Sequence, residues 1–284
     1  MNGKVAVITG GASGIGRAIG AELVAHGAVV VLADVNAEAA KLAAEQLTEA
    51  GPGRAQAIEL DVTDGPAVVE AYRAVRNEHG RLDLAFNNAG IGVGGLAEEL
   101  TLEHWDRTID VNLRGVVHGV HAAYPIMLEQ RDGHIVNTAS LAGLVMPAIM
   151  TPYTATKHAV VALSMALRAE GASRGVRVSA VCPSFVETPL LENINPGLPP
   201  TRASRQSRSQ IRRLQRRLYQ PDRLARDVVR GIERNRALII APRQARVMAW
   251  AARHLPAAAR AVSRREVGAY LRDRQNPMSE HPDV

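Results

Sequence analysis

Tyr153 and Lys157 stand four residues apart in Tyr153-Thr154-Ala155-Thr156-Lys157. The pattern around them predicts a helix from about Tyr153 to Arg174, and on a helix that spacing puts both side chains on one face. A free phenol titrates near ~10, too high for a base at neutral pH. An ammonium group beside it favours the phenolate and lowers that value. Such a pair can take a proton from an alcohol or return one to a carbonyl. The alternative is a solvated pair on a helix surface. A second feature is Thr9-Gly10-Gly11-Ala12-Ser13-Gly14-Ile15-Gly16, between an apolar run and a helical pattern. Glycines there let the backbone turn tightly and approach a diphosphate, while the helix N-terminus offers N–H groups and positive dipole. In that strand–turn–helix context a dinucleotide is the expected ligand. Asp34 lies 18 residues beyond Gly16, where a carboxylate can accept hydrogen bonds from ribose hydroxyls. It would repel a 2′-phosphate, and no Arg or Lys follows in Val35-Asn36-Ala37. NAD is therefore expected over NADP; the other reading of Asp34 is a cap for the following helix.

The elements that must position these groups are short aliphatic runs alternating with helical patterns. Strands are predicted at 4–9, 28–33, near 55–60, 82–86, 134–138, 176–181 and 237–240. Helices are predicted at 14–26, 36–50 (Asn36 as N-cap), 64–79, about 102–129, 153–174 and near 221–234. Strands alternating with helices imply βαβ units and a parallel sheet. Near-continuous apolar strands mean both sheet faces are covered. The expected fold is thus α/β, a doubly wound, Rossmann-like parallel sheet in a single domain over residues 1–241. Apolar residues make up 46% and charged residues 22% of the 284, which excludes wholesale disorder, collagen and coiled coil. Aromatics are only 3%, so the core must be aliphatic. A single cysteine, Cys182, excludes an intramolecular disulfide and is read as a buried strand thiol. Neither a secretory signal nor an 18-residue apolar run is read, so a cytoplasmic location is expected.

In order and spacing, these features resemble the short-chain dehydrogenase/reductase family, over about residues 3–190 with weaker agreement to about 241. Further motifs carry the resemblance: Asn87-Asn88-Ala89-Gly90 after the fourth strand, Asn112 in the long helix, and Ser140, 13 residues before Tyr153. It implies an NAD-dependent oxidoreductase interconverting a secondary alcohol and a ketone. Tyr153 would move the proton, Ser140 hold the substrate oxygen, and Lys157 also bond the nicotinamide ribose. Asn112 would join through a water. The resemblance further implies cofactor contacts from Gly10, Ser13, Gly14, Ile15, Gly16, Asp34, Asp61, Val62, Asn88, Ala89 and Gly90. The segment Pro183-Ser184-Phe185-Val186-Glu187-Thr188 matches a loop beside the nicotinamide, with Pro183, Val186 and Thr188 in contact. Ser184 stands there in place of the usual glycine, and serine resists positive φ. Read singly, Ser140 could be a turn former and Asn112 a residue at a helix kink. Homo-oligomers, tetramer or dimer, are also implied.

The charge is uneven. Residues 1–200 carry 14 Lys and Arg against 21 Asp and Glu, a net −7; residues 201–284 carry 20 Arg against 7 acids, a net +13. The basic part begins in an Arg-rich stretch, 193–220, where the family has its substrate lid; Ile211, Leu214 and Leu218 at helical spacing predict a short helix in it. Residues 242–284 form an amphipathic basic extension, with Arg246, Arg253, Arg260 and Arg264 on one face and Val247, Met248, Ala251, Leu255 and Val262 on the other. Pro256 should break it. Packing on the body or on a sister subunit is the first expectation for this extension, an anionic membrane surface the second, and nonspecific nucleic acid the last. No metal is expected: His118 and His121 are three apart on a helix, but there is no H-E-x-x-H and no Cys pair. The apolar stretch 141–150, with 92–96 and 190–219, is expected to shape the substrate pocket, favouring a hydrophobic, sterol- or lipid-like alcohol. Two alternatives stay open: an NADP-dependent ketoreductase acting on a thioester-linked substrate, and a non-catalytic NAD-binding regulatory protein at membranes.

Overall fold

In β1 (Val5–Thr9) every residue is buried. Ala6 and Ile8 enter one hydrophobic core while Val5 and Val7 enter another, which is why the run shows no polar alternation. The computed structural model describes residues 1–205 and 218–275. Among these, β1 is joined in one parallel sheet by β2 (Val29–Asp34), β3 (Arg54–Glu59), β4 (Leu84–Asn87), β5 (Gly133–Thr138), β6 (Val176–Pro183) and β7 (Leu238–Ala241). Their order is β3-β2-β1-β4-β5-β6-β7. Helices α1 (Gly14–Ala25), α2 (Ala37–Ala50) and α7 (Pro221–Glu233) cover one face. Their Leu23, Leu47 and Leu224 share a core with Ile8, Leu32 and Phe86. On the other face, α3 (Gly65–His79) and α5 (Gly115–Gln130) contribute Tyr72 and Met127 to the core with Val7 and Ile135. Helix α6 (Thr151–Gly171) adds Val160, against Ala180 and Cys182. The expected doubly wound α/β fold is the one found. Its strand order reverses direction between β1 and β4, the place where such sheets open a crevice at their carboxyl ends. Asn36 caps α2 as predicted, accepting from Ala39 N at 3.0 Å.

Two expectations need correcting. The helix predicted over 102–129 is broken: α4 (Leu102–Ile109) and α5 are separated by a π turn at Asp110–Arg114. Single π turns recur at functional sites, because the extra residue re-aims a side chain. Here Asn112 is fully buried in that turn. Its Oδ1 accepts from Ile91 N at 2.8 Å and its Nδ2 donates to Ile91 O at 2.9 Å.

The second correction concerns the tail. It splits at Pro256 as predicted, into α8 (Arg243–His254) and α9 (Pro256–Gln275). Its large apolar residues do not face the body, however: Val247, Met248, Leu255 and Val262 are all more than half exposed. Ala245 and Ala252 are the buried residues of α8, since methyl side chains let the helix lie close against β7. Of the helix predicted around Ile211, Leu214 and Leu218, the first two residues lie outside the described residues.

Candidate active site

The glycine turn is a bare main-chain surface. Gly10 has φ +63°, a left-handed conformation few side chains tolerate, and a Cβ there would lie 2.9 Å from Ala89 Cα. At Gly16 a Cβ would fall 2.1 Å from Gly10 O. The turn ends at Ser13, the N-cap of α1, whose side chain makes no capping bond, and Ile15 follows in the first turn. This surface, with the N–H groups of a helix start beside it, fits the diphosphate of a dinucleotide. Asp34 stands at its rim. Its Oδ2 accepts from Ala12 N and its Oδ1 from Asn36 N, both at 3.0 Å. It therefore ties β2 to the glycine turn, while Asn36 caps the following helix. Asp61 accepts from both N and Oγ1 of Thr63. The backbone bond of Thr63 holds its carboxyl below the usual carboxylate range. Val62 is buried beside it and accepts from the His118 ring at 2.8 Å.

Asn88, expected to line the cofactor, is committed largely to the fold. Its Nδ2 donates to Thr9 O and Gly10 O, and its Oδ1 accepts from Thr138. It thereby clamps the glycine turn to β4 and β5 and leaves Ala89 and Gly90 at the floor of the crevice. Asn112 stands beside Gly90, with its Oδ1 3.0 Å from where a Cβ would be. Both ends of its amide hold Ile91, so the side chain positions this loop.

Tyr153, Ser140 and Lys157 do converge. The Ser140 hydroxyl lies beside the Tyr153 phenol and favours its ionised form, and it accepts from Ala142 N at 3.1 Å. Lys157 Nζ lies 5.6 Å from the centre of the Tyr153 ring and donates to Thr138 O at 2.9 Å. The electrostatics differ from the expectation. Burial pushes the Tyr153 phenol up, and the neighbouring Ser140 hydroxyl opposes it only in part. Burial likewise lowers Lys157, to about 8, with Cys182 acting weakly the other way. Desolvation disfavours the charged form of each group and is the first cause of both shifts. Cys182 is fully buried behind Lys157 and is pushed up to about 12 by burial, which fits an inert strand thiol.

The loop after β6 needs no glycine. Ser184 N donates to Ala241 O at 2.9 Å, prolonging the β6–β7 ladder, and Ser184 is not among the residues with positive φ. Pro183 ends β6, Val186 is buried and bridged to Tyr219, and Thr188 reaches the glycine turn. Its Cγ2 lies 3.1 Å from where a Gly14 Cβ would be.

The three segments expected to shape the substrate side are also sewn together. Gly95 N donates to Ile149 O at 2.8 Å and Asn195 N to Gly92 O at 2.9 Å. The buried Asn195 amide pairs with both main-chain groups of Gly94. Sequence reasoning missed this buried amide, which sits in a run otherwise read as lid. Among the described residues no cluster of three His, Cys, Asp or Glu side chains could hold a metal ion.

A family model described as short chain dehydrogenase matches residues 4–199. A cyclohexanol dehydrogenase of Acinetobacter sp. (strain SE19) is 40% identical over 192 residues, 67% of this chain and 76% of that protein. A 3-oxoacyl-(acyl-carrier-protein) reductase of Thermotoga maritima is 37% identical over 194 residues, 68% and 78% of the two chains. Among solved structures, a short-chain dehydrogenase/reductase of Burkholderia phymatum in complex with NAD superimposes with a TM-score of 0.79. Its identity is 35%, over 87% of this chain and 92% of that one. Levodione reductase gives a TM-score of 0.76 at 32% identity, over 84% and 95%. The chain belongs to the short-chain dehydrogenase/reductase family, oxidoreductases that act on CH–OH groups with a nicotinamide cofactor.

Proposed function

We propose that this chain interconverts a hydrophobic secondary alcohol and its ketone using NAD, with residues 1–241 as the catalytic unit. The observation that carries this reading is the meeting of the Ser140 hydroxyl and the Tyr153 phenol beside the buried Lys157 ammonium. They sit at the carboxyl edge of the sheet, next to a glycine cradle. Gly10, Ser13, Gly14, Ile15 and Gly16 would hold the diphosphate, and Asp34 the adenosine ribose. Asp61, Val62, Ala89 and Gly90 would flank the adenosine, and Pro183, Val186 and Thr188 the nicotinamide. Bound there, an oxidised nicotinamide supplies a hydride acceptor. Ser140 holds the substrate oxygen by a hydrogen bond, and Tyr153 takes the alcohol proton in oxidation or donates one in reduction. Lys157, anchored on Thr138 O, holds the ribose and the local positive charge; Asn112 keeps the floor of the crevice in place through Ile91.

Asp34 supports NAD over NADP, because its carboxylate is pinned at the cradle where a 2′-phosphate would meet it. The cyclohexanol dehydrogenase relative supports a compact ring alcohol; the 3-oxoacyl reductase relative supports the thioester-linked ketone as the competing substrate class. The test is absorbance at 340 nm with cyclohexanol, larger ring alcohols and an acetoacetyl thioester, each with NAD(H) and NADP(H). NAD-linked turnover of a ring alcohol is the expected result. Thioester reduction with NADPH alone would overturn both the cofactor and the substrate reading.

The exposed face of α8 favours peripheral contact with an anionic bilayer. Val247, Met248 and Trp250 are exposed there and Leu255 just beyond its end, and residues 243–265 carry six Arg and no acid. Apolar side chains with an aromatic among them and Arg around them fit the headgroup region. No helix among the described residues is long and apolar enough to cross a membrane. In sedimentation with phosphatidylserine vesicles, the protein should pellet at low salt and a Trp250→Glu variant should stay in solution. Equal, negligible pelleting of both would remove this contact.

A further inference from the structure

Helix α9 returns to its own body, and it lands on all three segments that frame the substrate side. Ser263 Oγ donates to Met146 O at 2.8 Å, on the β5–α6 loop. Tyr270 is buried; its hydroxyl donates to Glu99 Oε2 at 3.1 Å, on the β4–α4 loop, and its main-chain oxygen meets Arg202 in the segment after β6. The Arg202 guanidinium sits 5.0 Å from the centre of the Tyr270 ring and donates to Tyr270 O at 3.0 Å. One aromatic residue thus ties two of the segments together, and a serine two helical turns earlier ties the third. The family model stops at residue 199, so this helix lies outside the part of the chain it matches.

We propose that α9 is a roof brace of the substrate side, and that Tyr270 is a positioning residue that limits substrate size by holding the 92–100, 141–150 and 190–205 segments in one closed arrangement. The inference rests on the alcohol dehydrogenase reading above for its substrates, but not for its structural content. A framework tied at three points cannot spread to admit a larger ring. Removing the tie relaxes that limit and leaves the glycine cradle alone, because the α9 contacts named above are all to the substrate-side segments. A substrate already small enough gains nothing from the change.

The test uses the full chain with Tyr270→Ala and Tyr270→Phe. With cyclohexanol and cyclododecanol as probes, the ratio of kcat/KM for the large ring to that for the small one should rise about tenfold or more in Tyr270→Ala, the scale on which pocket fit discriminates alkyl bulk. Tyr270→Phe, which keeps the ring but loses the hydroxyl bond to Glu99, should show a smaller rise. NADH affinity, read by its fluorescence, should not change. General destabilisation would lower both rates together and leave the ratio where it was, and an unmoved ratio overturns the proposal. Hydrogen exchange supplies a readout that needs no turnover. Amides of 194–203 and 96–100 should lose protection in Tyr270→Ala, and unchanged protection there overturns the proposal too. If neither alcohol turns over but those amides do lose protection, the alcohol reading fails and the brace stands.

Discussion

Tyr153→Phe should bind NADH as tightly as the wild type and lose ~10²–10⁴ of its turnover, the usual share of a positioned acid–base group. The ring is kept, so the packing of α6 and the crevice wall is kept; only the hydroxyl that meets Ser140 goes. Ser140 still bonds Ala142 N, so the loop that presents it has no reason to move. A variant with near wild-type turnover would remove Tyr153 from the chemistry.

The wild-type pH profile tests the same group from the other side. Burial holds the phenol above its ordinary value, so its basic form is scarce at neutral pH. For alcohol oxidation, kcat/KM should therefore climb with pH from about 6 to about 8. Above that the slope should flatten, because Lys157 loses its proton near about 8 and its charge no longer supports the phenolate. Ketone reduction uses the protonated phenol and should stay level over the same range. Rates recorded at 340 nm in both directions supply the comparison. An oxidation rate that fell as pH rose would mean that the protonated form is the working one and would reverse the assignment.

How much of this was legible in the residues depends on the range of the forces involved. The glycine turn and the Tyr153–Lys157 pair are local: their geometry follows from a strand ending, a helix starting and a four-residue spacing. The covered sheet was legible too, since Val5 to Ile8 are apolar on both faces and only two buried faces allow that. The π turn at Asp110–Arg114 was legible only as a kink at Asn112, because the bonds that hold it there run to Ile91, about twenty residues away. The phenol was misjudged for a similar reason. Spacing brings Lys157 near, but the balance between its charge and desolvation is set by how much chain closes over both. The tail packs on the body, the first expectation for it, but not through its large apolar residues. A pattern of large apolar residues predicts the buried face, yet α8 packs through Ala245 and Ala252, and α9 through Tyr270 and Ser263. Hydrophobic patterning ranks faces by apolar content, whereas α8, lying close on β7, selects small side chains.

The largest loss of cofactor binding is expected from a single methyl group. Gly16→Ala would place a Cβ 2.1 Å from Gly10 O and 2.7 Å from Asn88 Nδ2. Neither neighbour is free to yield. Gly10 sits against Ala89 in a left-handed conformation, and Asn88 is clamped to Thr9, Gly10 and Thr138. The first turn of α1 must instead shift away from β1, which takes the helix N-terminus off the line that would meet a diphosphate. Overpacking of this kind costs about 3 kcal/mol, and if it falls on the bound state it weakens binding by roughly 100-fold. Fluorescence titration with NADH should show that loss, and a thermal melt by circular dichroism should show a smaller one in stability, since α1 can relax when nothing is bound. Tyr153→Phe serves as the matched control, losing turnover but not affinity. Were Gly16→Ala to bind NADH within threefold of wild type, the turn would not be the cradle, and the dinucleotide would have to lie elsewhere on the sheet edge.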